Sequence, residues 1–180
     1  GGGGFTFWTK LGQLHGTEIP PDRLILVGVS SGNLVNAMFA CGVLVEDIFR
    51  ESLAVAKKLN IRNVNKVIGM LGDWLDKLLP ENAHEICSGR LFVALYEFPN
   101  TTRLISYFET KRKLIHTLLR AVSIPFLVCW NPLKLMDHCK DEIAILKHSP
   151  QKYSVVELTS SVEELRRCLV VPSYKNAKRM

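Results

Sequence analysis

The stretch DRLILVGVSSGNLVNAMFACG, residues 22–42, decides how this chain is read. Leu24 to Val27 form a short uninterrupted apolar run, which predicts a buried strand over 23–28. Gly28-Val29-Ser30-Ser31-Gly32 follows, and then Leu34, Val35, Met38 and Phe39 recur at helical spacing, which predicts a helix over 31–41. Ser30 therefore sits on a tight strand-to-helix turn. In a G-x-S-x-G turn the small residues at both ends let the chain reverse sharply, so the serine oxygen projects above the sheet and the helix N-terminus aims its amides towards it. That geometry presents a hydroxyl as a nucleophile. A turn that needs its glycines for steric reasons alone would be written with the same five residues.

Working upstream, Gly1 to Gly4 and Phe5 precede this elbow with room for one short helix, over 8–15, and one strand. Two glycine-rich turns would then be consecutive strand-to-helix turns at one edge of a sheet. The N–H groups of Gly2 to Phe5, free of side-chain crowding, are suited to holding the oxyanion of a tetrahedral intermediate formed at Ser30. A dinucleotide loop fits poorly, because Phe7 takes the last place of G-x-G-x-x-G counted from Gly2 and no acidic residue ends the next strand. A P-loop fails for lack of the G-K-[ST] ending. A plain glycine-rich terminus stays open as the structural alternative.

Downstream, VEDIFRESLAVAKKLN (45–60) and VNKVIGMLGDWLDKLL (64–79) carry i, i+3, i+4 apolar spacing, Pro80 closes the second, and ENAHEIC adds a short third helix. RLFVALYEF (90–98) and TRLISYF (102–108) are β-rich and flank Pro99-Asn100-Thr101, as in a hairpin or two adjacent strands. TKRKLIHTLLRAV returns to helix and stops before Pro125; KYSVVEL (152–158) reads as a strand and SVEELRRCLVV (161–171) as a helix. Strands alternating with helices predict an α/β layered fold with helices on both faces of the sheet.

With 180 residues, 47% of them hydrophobic, the chain has material for one substantial core, and a single domain over 1–180 is expected. The net charge of +6 is spread along the chain except for Lys175, Lys178 and Arg179, so an anionic surface is the most it suggests, and no nucleic-acid partner is expected. Five cysteines without CxxC or zinc-type spacing suggest reduced thiols inside a cell. No run approaches the roughly 20 apolar residues that span a bilayer. The chain opens at Gly1, inside what reads as a motif, so truncation at both ends is expected.

A nucleophilic serine needs a base. The five histidines are His15, His84, His116, His138 and His148. Asp137 and His148 complete a Ser, acid, His order, but they lie close together, and the glycine loop lies too close to Ser30 for an α/β-hydrolase topology. A dyad in which a carboxylate takes the serine proton directly is the other solution.

Several segments in order resemble one family: GGGF with Gly12 and Leu14 after it, GVSSG, LPENAHEICSGRLFVAL, ISYFETKRKLIHTLLRAVSIPF, LMDHCKDEIAIL and ELRRCLVVPSYKNAKRM. Together they are similar to the patatin-like phospholipase domain, in particular its animal subfamily of adipose triglyceride lipase and adiponutrin. The resemblance implies a three-layer α/β/α patatin-like fold with a mostly parallel central sheet. It implies a serine acyl hydrolase of the triacylglycerol lipase or phospholipase type that works through a Ser–Asp dyad, with no cofactor and no metal. The substrate would be a lipid, met at a membrane or lipid-droplet surface to which the protein attaches peripherally, with a regulatory protein as a further partner. By position, Ser30 matches the nucleophile, Gly28 and Gly32 its elbow, Gly2, Gly3 and Gly4 the oxyanion loop, and Asp137 the dyad aspartate. Two places depart from the family pattern: Phe7 stands where the loop has a further glycine, and Asp137 is followed by His138-Cys139 rather than by two glycines. A lipid-binding or regulatory module that keeps the fold without catalysis is the alternative. Phe5, Phe7, Trp8, Phe126 and Trp130 are candidates for an apolar mouth, or else core packing.

Overall fold

A computed structural model describes residues 7–16, 20–58, 66–97 and 101–123. Its sheet is built on strand β2 (Leu91–Glu97), which pairs in parallel with β1 (Leu26–Gly28) and antiparallel with β3 (Thr101–Ile105), giving the order β1-β2-β3. The two adjacent strands expected here are present as an antiparallel pair, in which Val93 faces Ile105 and Glu97 faces Thr101. The expected mostly parallel sheet is, in the described residues, a three-stranded mixed one.

Strand β1 is shorter than its apolar run. Pro21 opens a single 3-10 turn over Pro21–Arg23, closed by the Leu24 N–H on the Pro21 carbonyl at 3.2 Å, and this leaves only Leu26 to Gly28 to pair. The pairing starts with the Leu26 N–H on the Arg90 carbonyl, at 2.8 Å.

Six α-helices accompany the sheet among the described residues: α1 (Phe7–His15), α2 (Ser31–Ala40), α3 (Val45–Lys58), α4 (Val67–Leu78), α5 (Ala83–Cys87) and α6 (Lys111–Val122). Every residue of α2 is buried, so it is the central helix rather than an amphipathic surface one. Helices α2 and α6 both pack on β2 and on each other, and therefore lie side by side on one face of the sheet. Side-chain alternation shows the same. Leu26 and Gly28, with their partners Leu91 and Val93, are buried, whereas on the other face Val27 and Phe92 are only half-buried and the small Ala94 is buried. The described helices thus cover one face closely, and a three-layer sandwich is not established by these residues.

Outside α2 and α6 the helices stack outward: α1 on α2, α4 on α6, and α3 on α4. Helix α3 begins with Glu46 and Asp47 and ends with Lys57 and Lys58, each pair complementing the partial charge of its helix end. Lys77 reaches Glu51 at 2.7 Å to tie α4 to α3. Helix α4 stops at Leu79, whose extended backbone is what a following proline imposes. Helix α6 is capped by the Thr110 hydroxyl, which accepts the Lys113 N–H at 3.2 Å. Lys111 in its first turn donates to the Asp76 carbonyl at 2.7 Å and to Glu81 at 3.0 Å, fastening α6 to the end of α4.

The predicted helix and strand beyond residue 150 lie outside the described residues, as do Gly2, Gly3, Gly4, Phe5, Phe126, Trp130, Asp137, His138, Cys139 and His148. No helix among the described residues is long and apolar enough to cross a membrane.

Candidate active site

The parallel pairing holds the chain extended as far as Gly28, opposite Val93. Helix α2 is already closing two residues later: the Gly32 N–H donates to the Val29 carbonyl at 3.0 Å and the Asn33 N–H to the Ser30 carbonyl at 3.0 Å. The reversal from strand to helix must therefore be absorbed almost entirely at Ser30, which has φ 53° and ψ −132°. Ser30 is the only non-glycine residue with positive φ among the described residues. Such a conformation costs an L-residue about 1–3 kcal/mol, and glycine would avoid that cost.

Two further features bear on what the serine does. A serine at a helix N-cap ordinarily spends its hydroxyl on an N–H of the first turn, and Ser30 makes no such bond. Its side chain is half-buried. Strain at the backbone is thus combined with a hydroxyl not used for capping, the arrangement a presented nucleophile requires.

Gly28 is needed for a different reason. A Cβ there would lie 2.5 Å from the Asn33 Oδ1, 2.8 Å from the Asn33 backbone N and 2.9 Å from the Asn36 Nδ2. The first turn of α2 is packed directly on the end of β1, and only a residue without a side chain fits. Gly32, in that same first turn, is buried.

These contacts bring in two residues that the sequence reading passed over. Asn33 is completely buried, and neither its Oδ1 nor its Nδ2 has a hydrogen-bond partner among the described residues. Asn36, one turn on, is also buried. Their signal in the sequence was two carboxamides, three residues apart, in a helix otherwise packed with Leu34, Val35, Ala37, Met38 and Phe39.

The histidines do not supply a base for Ser30 within the described residues. His15, in the last turn of α1, packs edge-on against Phe39 with ring centroids 5.1 Å apart. Phe39 lies near the far end of α2, about 13 Å along the axis from Ser30 at 1.5 Å per residue. His84 is bonded to the Glu81 carbonyl at 3.2 Å, and His116 is exposed on α6. The described residues also hold no group of three His, Cys, Asp or Glu placed to bind a metal.

Phe7 is the first residue of α1, with its ring 5.2 Å from Trp8 in a T-shaped contact and 6.1 Å from Trp74 of α4; Trp8 in turn meets Phe49 of α3 at 5.5 Å. The bulk of Phe7 is therefore absorbed by aromatic packing between α1 and α4. Phe7 and Trp8 sit half-buried against the core, and Phe49 stands 43% exposed beside them with Leu53 46% exposed one turn further along α3. That patch runs from partly packed to open.

The described part of the chain is thus a mixed α/β structure in which a strand reverses at a strained serine into a buried helix. No family model matches the chain. It is similar to the omega-hydroxyceramide transacylase of Homo sapiens, 24% identical over a 136-residue alignment that covers 69% of this chain and 26% of the relative. The Mus musculus omega-hydroxyceramide transacylase is likewise 24% identical over 136 residues, covering 69% of this chain and 23% of its own length. The chain thus spans about a quarter of the length of the curated relatives it matches. No solved structure matches it.

Proposed function

We propose that this chain handles lipid acyl esters through an acyl-enzyme on Ser30. The observation that carries the reading is the backbone of Ser30: a strained, positive-φ serine at a strand-to-helix turn, where glycine would be cheaper, with its hydroxyl not used to cap the helix. Similarity to a protein named omega-hydroxyceramide transacylase supports acyl chemistry on lipids. The patatin-like motifs of the sequence support a Ser–Asp dyad.

In this reading the Ser30 Oγ attacks the ester carbonyl while the Asp137 carboxylate takes its proton. The backbone N–H groups of Gly2, Gly3 and Gly4 hold the oxyanion of the tetrahedral intermediate. Collapse of the intermediate breaks the C–O bond, the proton passes from Asp137 to the leaving alcohol, and the acyl group stays on Ser30. Water then completes hydrolysis, as in a triacylglycerol lipase or phospholipase; a lipid hydroxyl in the same place would complete a transacylation. Phe49, Leu53 and the neighbouring Trp8 supply an apolar surface suited to peripheral contact with a membrane or lipid droplet.

A serine-reactive fluorophosphonate probe, followed by turnover of a medium-chain ester with and without a long-chain alcohol acceptor, tests the proposal. Wild type is expected to be labelled at Ser30, with labelling and turnover both lost in Ser30→Ala and turnover lost in Asp137→Asn, while His148→Ala stays active. A folded wild type that is neither labelled nor active overturns the catalytic reading in favour of a lipid-binding module. A dead His148→Ala beside an active Asp137→Asn overturns the dyad. Product partition between free acid and wax ester decides between water and an alcohol as acceptor.

A further inference from the structure

At the opposite end of α2 from Ser30, the Sγ atoms of Cys41 and Cys87 are 3.9 Å apart. Cys41 follows the last residue of α2, and Cys87 is the last residue of α5, so the pair joins the ends of two helices separated by 46 residues in sequence. The two thiols differ in surroundings. Cys87 is fully buried, while Cys41 is only partly so. The contact with Cys87, opposed by burial, holds the Cys41 thiol below its ordinary range, with the nearby Arg90 guanidinium acting in the same direction. The same contact, together with burial, pushes the Cys87 thiol upward. The two sulfurs therefore lie within reach of each other, with Cys41 the one suited to react first as thiolate.

We propose that Cys41 and Cys87 form a peroxide-reactive dithiol that closes into a disulfide between α2 and α5. The Cys41 thiolate attacks one oxygen of a hydroperoxide; the O–O bond breaks, an S–O bond forms, and the departing oxygen leaves with a proton as water or an alcohol. As it gives up its proton, the Cys87 sulfur then attacks the sulfenic sulfur of Cys41, whose negative charge is gone once it is oxidised. The S–S bond forms, the S–O bond breaks, and the leaving hydroxide takes the Cys87 proton to depart as water. Two thiols lose two electrons and one peroxide gains them, so no further reactant is required.

Closing from 3.9 Å to a bond of about 2.05 Å requires a small local movement. Cys41 lies just past the last turn of α2, its N–H donated to the Ala37 carbonyl at 3.1 Å, and Gly42, which follows it, takes φ +65° with open space where a side chain would sit. A cross-link there would fasten the far end of the helix whose near end carries Ser30. The inference does not depend on Ser30 being catalytic.

The test is a non-reducing peptide map of the folded full chain after brief treatment with about one equivalent of hydrogen peroxide and rapid alkylation. The expected result is a Cys41–Cys87 linked peptide, lighter than the two free peptides by two hydrogens, that disappears on reduction with dithiothreitol. Cys41→Ser should abolish the link, and in Cys87→Ala a dimedone adduct should accumulate on Cys41. Oxidation that instead links Cys129, Cys139 or Cys168, or that leaves Cys41 and Cys87 alkylated, overturns the proposal. So does a Cys41–Cys87 link that forms only in urea. The wild-type map stands whether or not the Cys87 variant folds.

Discussion

The two ends of α2 are built on opposite terms. At its start, the chain is strained at Ser30, packed too tightly at Gly28 for any side chain, and backed by the buried carboxamide of Asn33 with both polar atoms unpaired among the described residues. At its other end, Ala37, Met38 and Phe39 are buried with apolar neighbours, His15 packs edge-on against Phe39, and the chain leaves through Gly42, a residue that takes its positive φ without strain. A buried unpaired polar group costs about 1–3 kcal/mol, and a strained serine a similar amount. The difference teaches that α2 is anchored by one end so that the other can be held in an unfavourable conformation, the pattern expected where a reactive group is presented.

The largest expected effect concerns chemistry alone. Ser30→Ala should lower ester turnover by about 10⁴-fold or more, as loss of a serine nucleophile does elsewhere, with a melting curve nearly unchanged. Activity retained in that variant would remove the functional meaning of the strained end.

Next in size is Gly28→Ala. Two of the atoms its Cβ would meet, at 2.5 and 2.8 Å, belong to Asn33, and the second is a backbone nitrogen that cannot swing away. A loss of about 2–3 kcal/mol in unfolding free energy is expected, together with impaired labelling of Ser30. A fully stable, active Gly28→Ala would show that β1 and α2 are not in close contact at the elbow.

Phe7→Gly tests whether the departure from the glycine-rich pattern is structural. Since the Phe7 ring packs against Trp8 and Trp74, its removal should cost about 1–3 kcal/mol, judged by thermal or urea unfolding. An increase in turnover without loss of stability would mean instead that the phenylalanine restrains the loop before it.

The smallest effects should carry opposite signs from what burial alone suggests. Ser30→Gly is expected to stabilise the fold by about 1 kcal/mol, because relief of positive-φ strain exceeds the added chain entropy of glycine. Asn33→Ala is expected to be near neutral, since the lost packing is offset by removing two unpaired polar atoms. A large destabilisation in either variant would show that the near end of α2 is as relaxed as the far one.

Local pattern was enough to place most elements. The apolar spacing of Leu34, Val35, Met38 and Phe39 marked α2, Pro80 marked the end of α4, and Pro99-Asn100 marked the break in sequence between β2 and β3, because period, φ restriction and missing N–H groups are properties of the chain itself. The G-V-S-S-G pentapeptide also located the elbow, though it did not fix the backbone conformation of Ser30. Only the tertiary structure decided that, since the φ of 53° follows from β1 being held against β2 while α2 closes its first turn two residues later. The same holds for the length of β1, cut short by the turn at Pro21, for the packing of Phe7 on Trp74, and for the meeting of Cys41 with Cys87. Each depends on atoms far apart in sequence. Residue spacing determines which side of a helix or strand a group occupies, whereas distance, strain and pairing arise only when two such surfaces are pressed together.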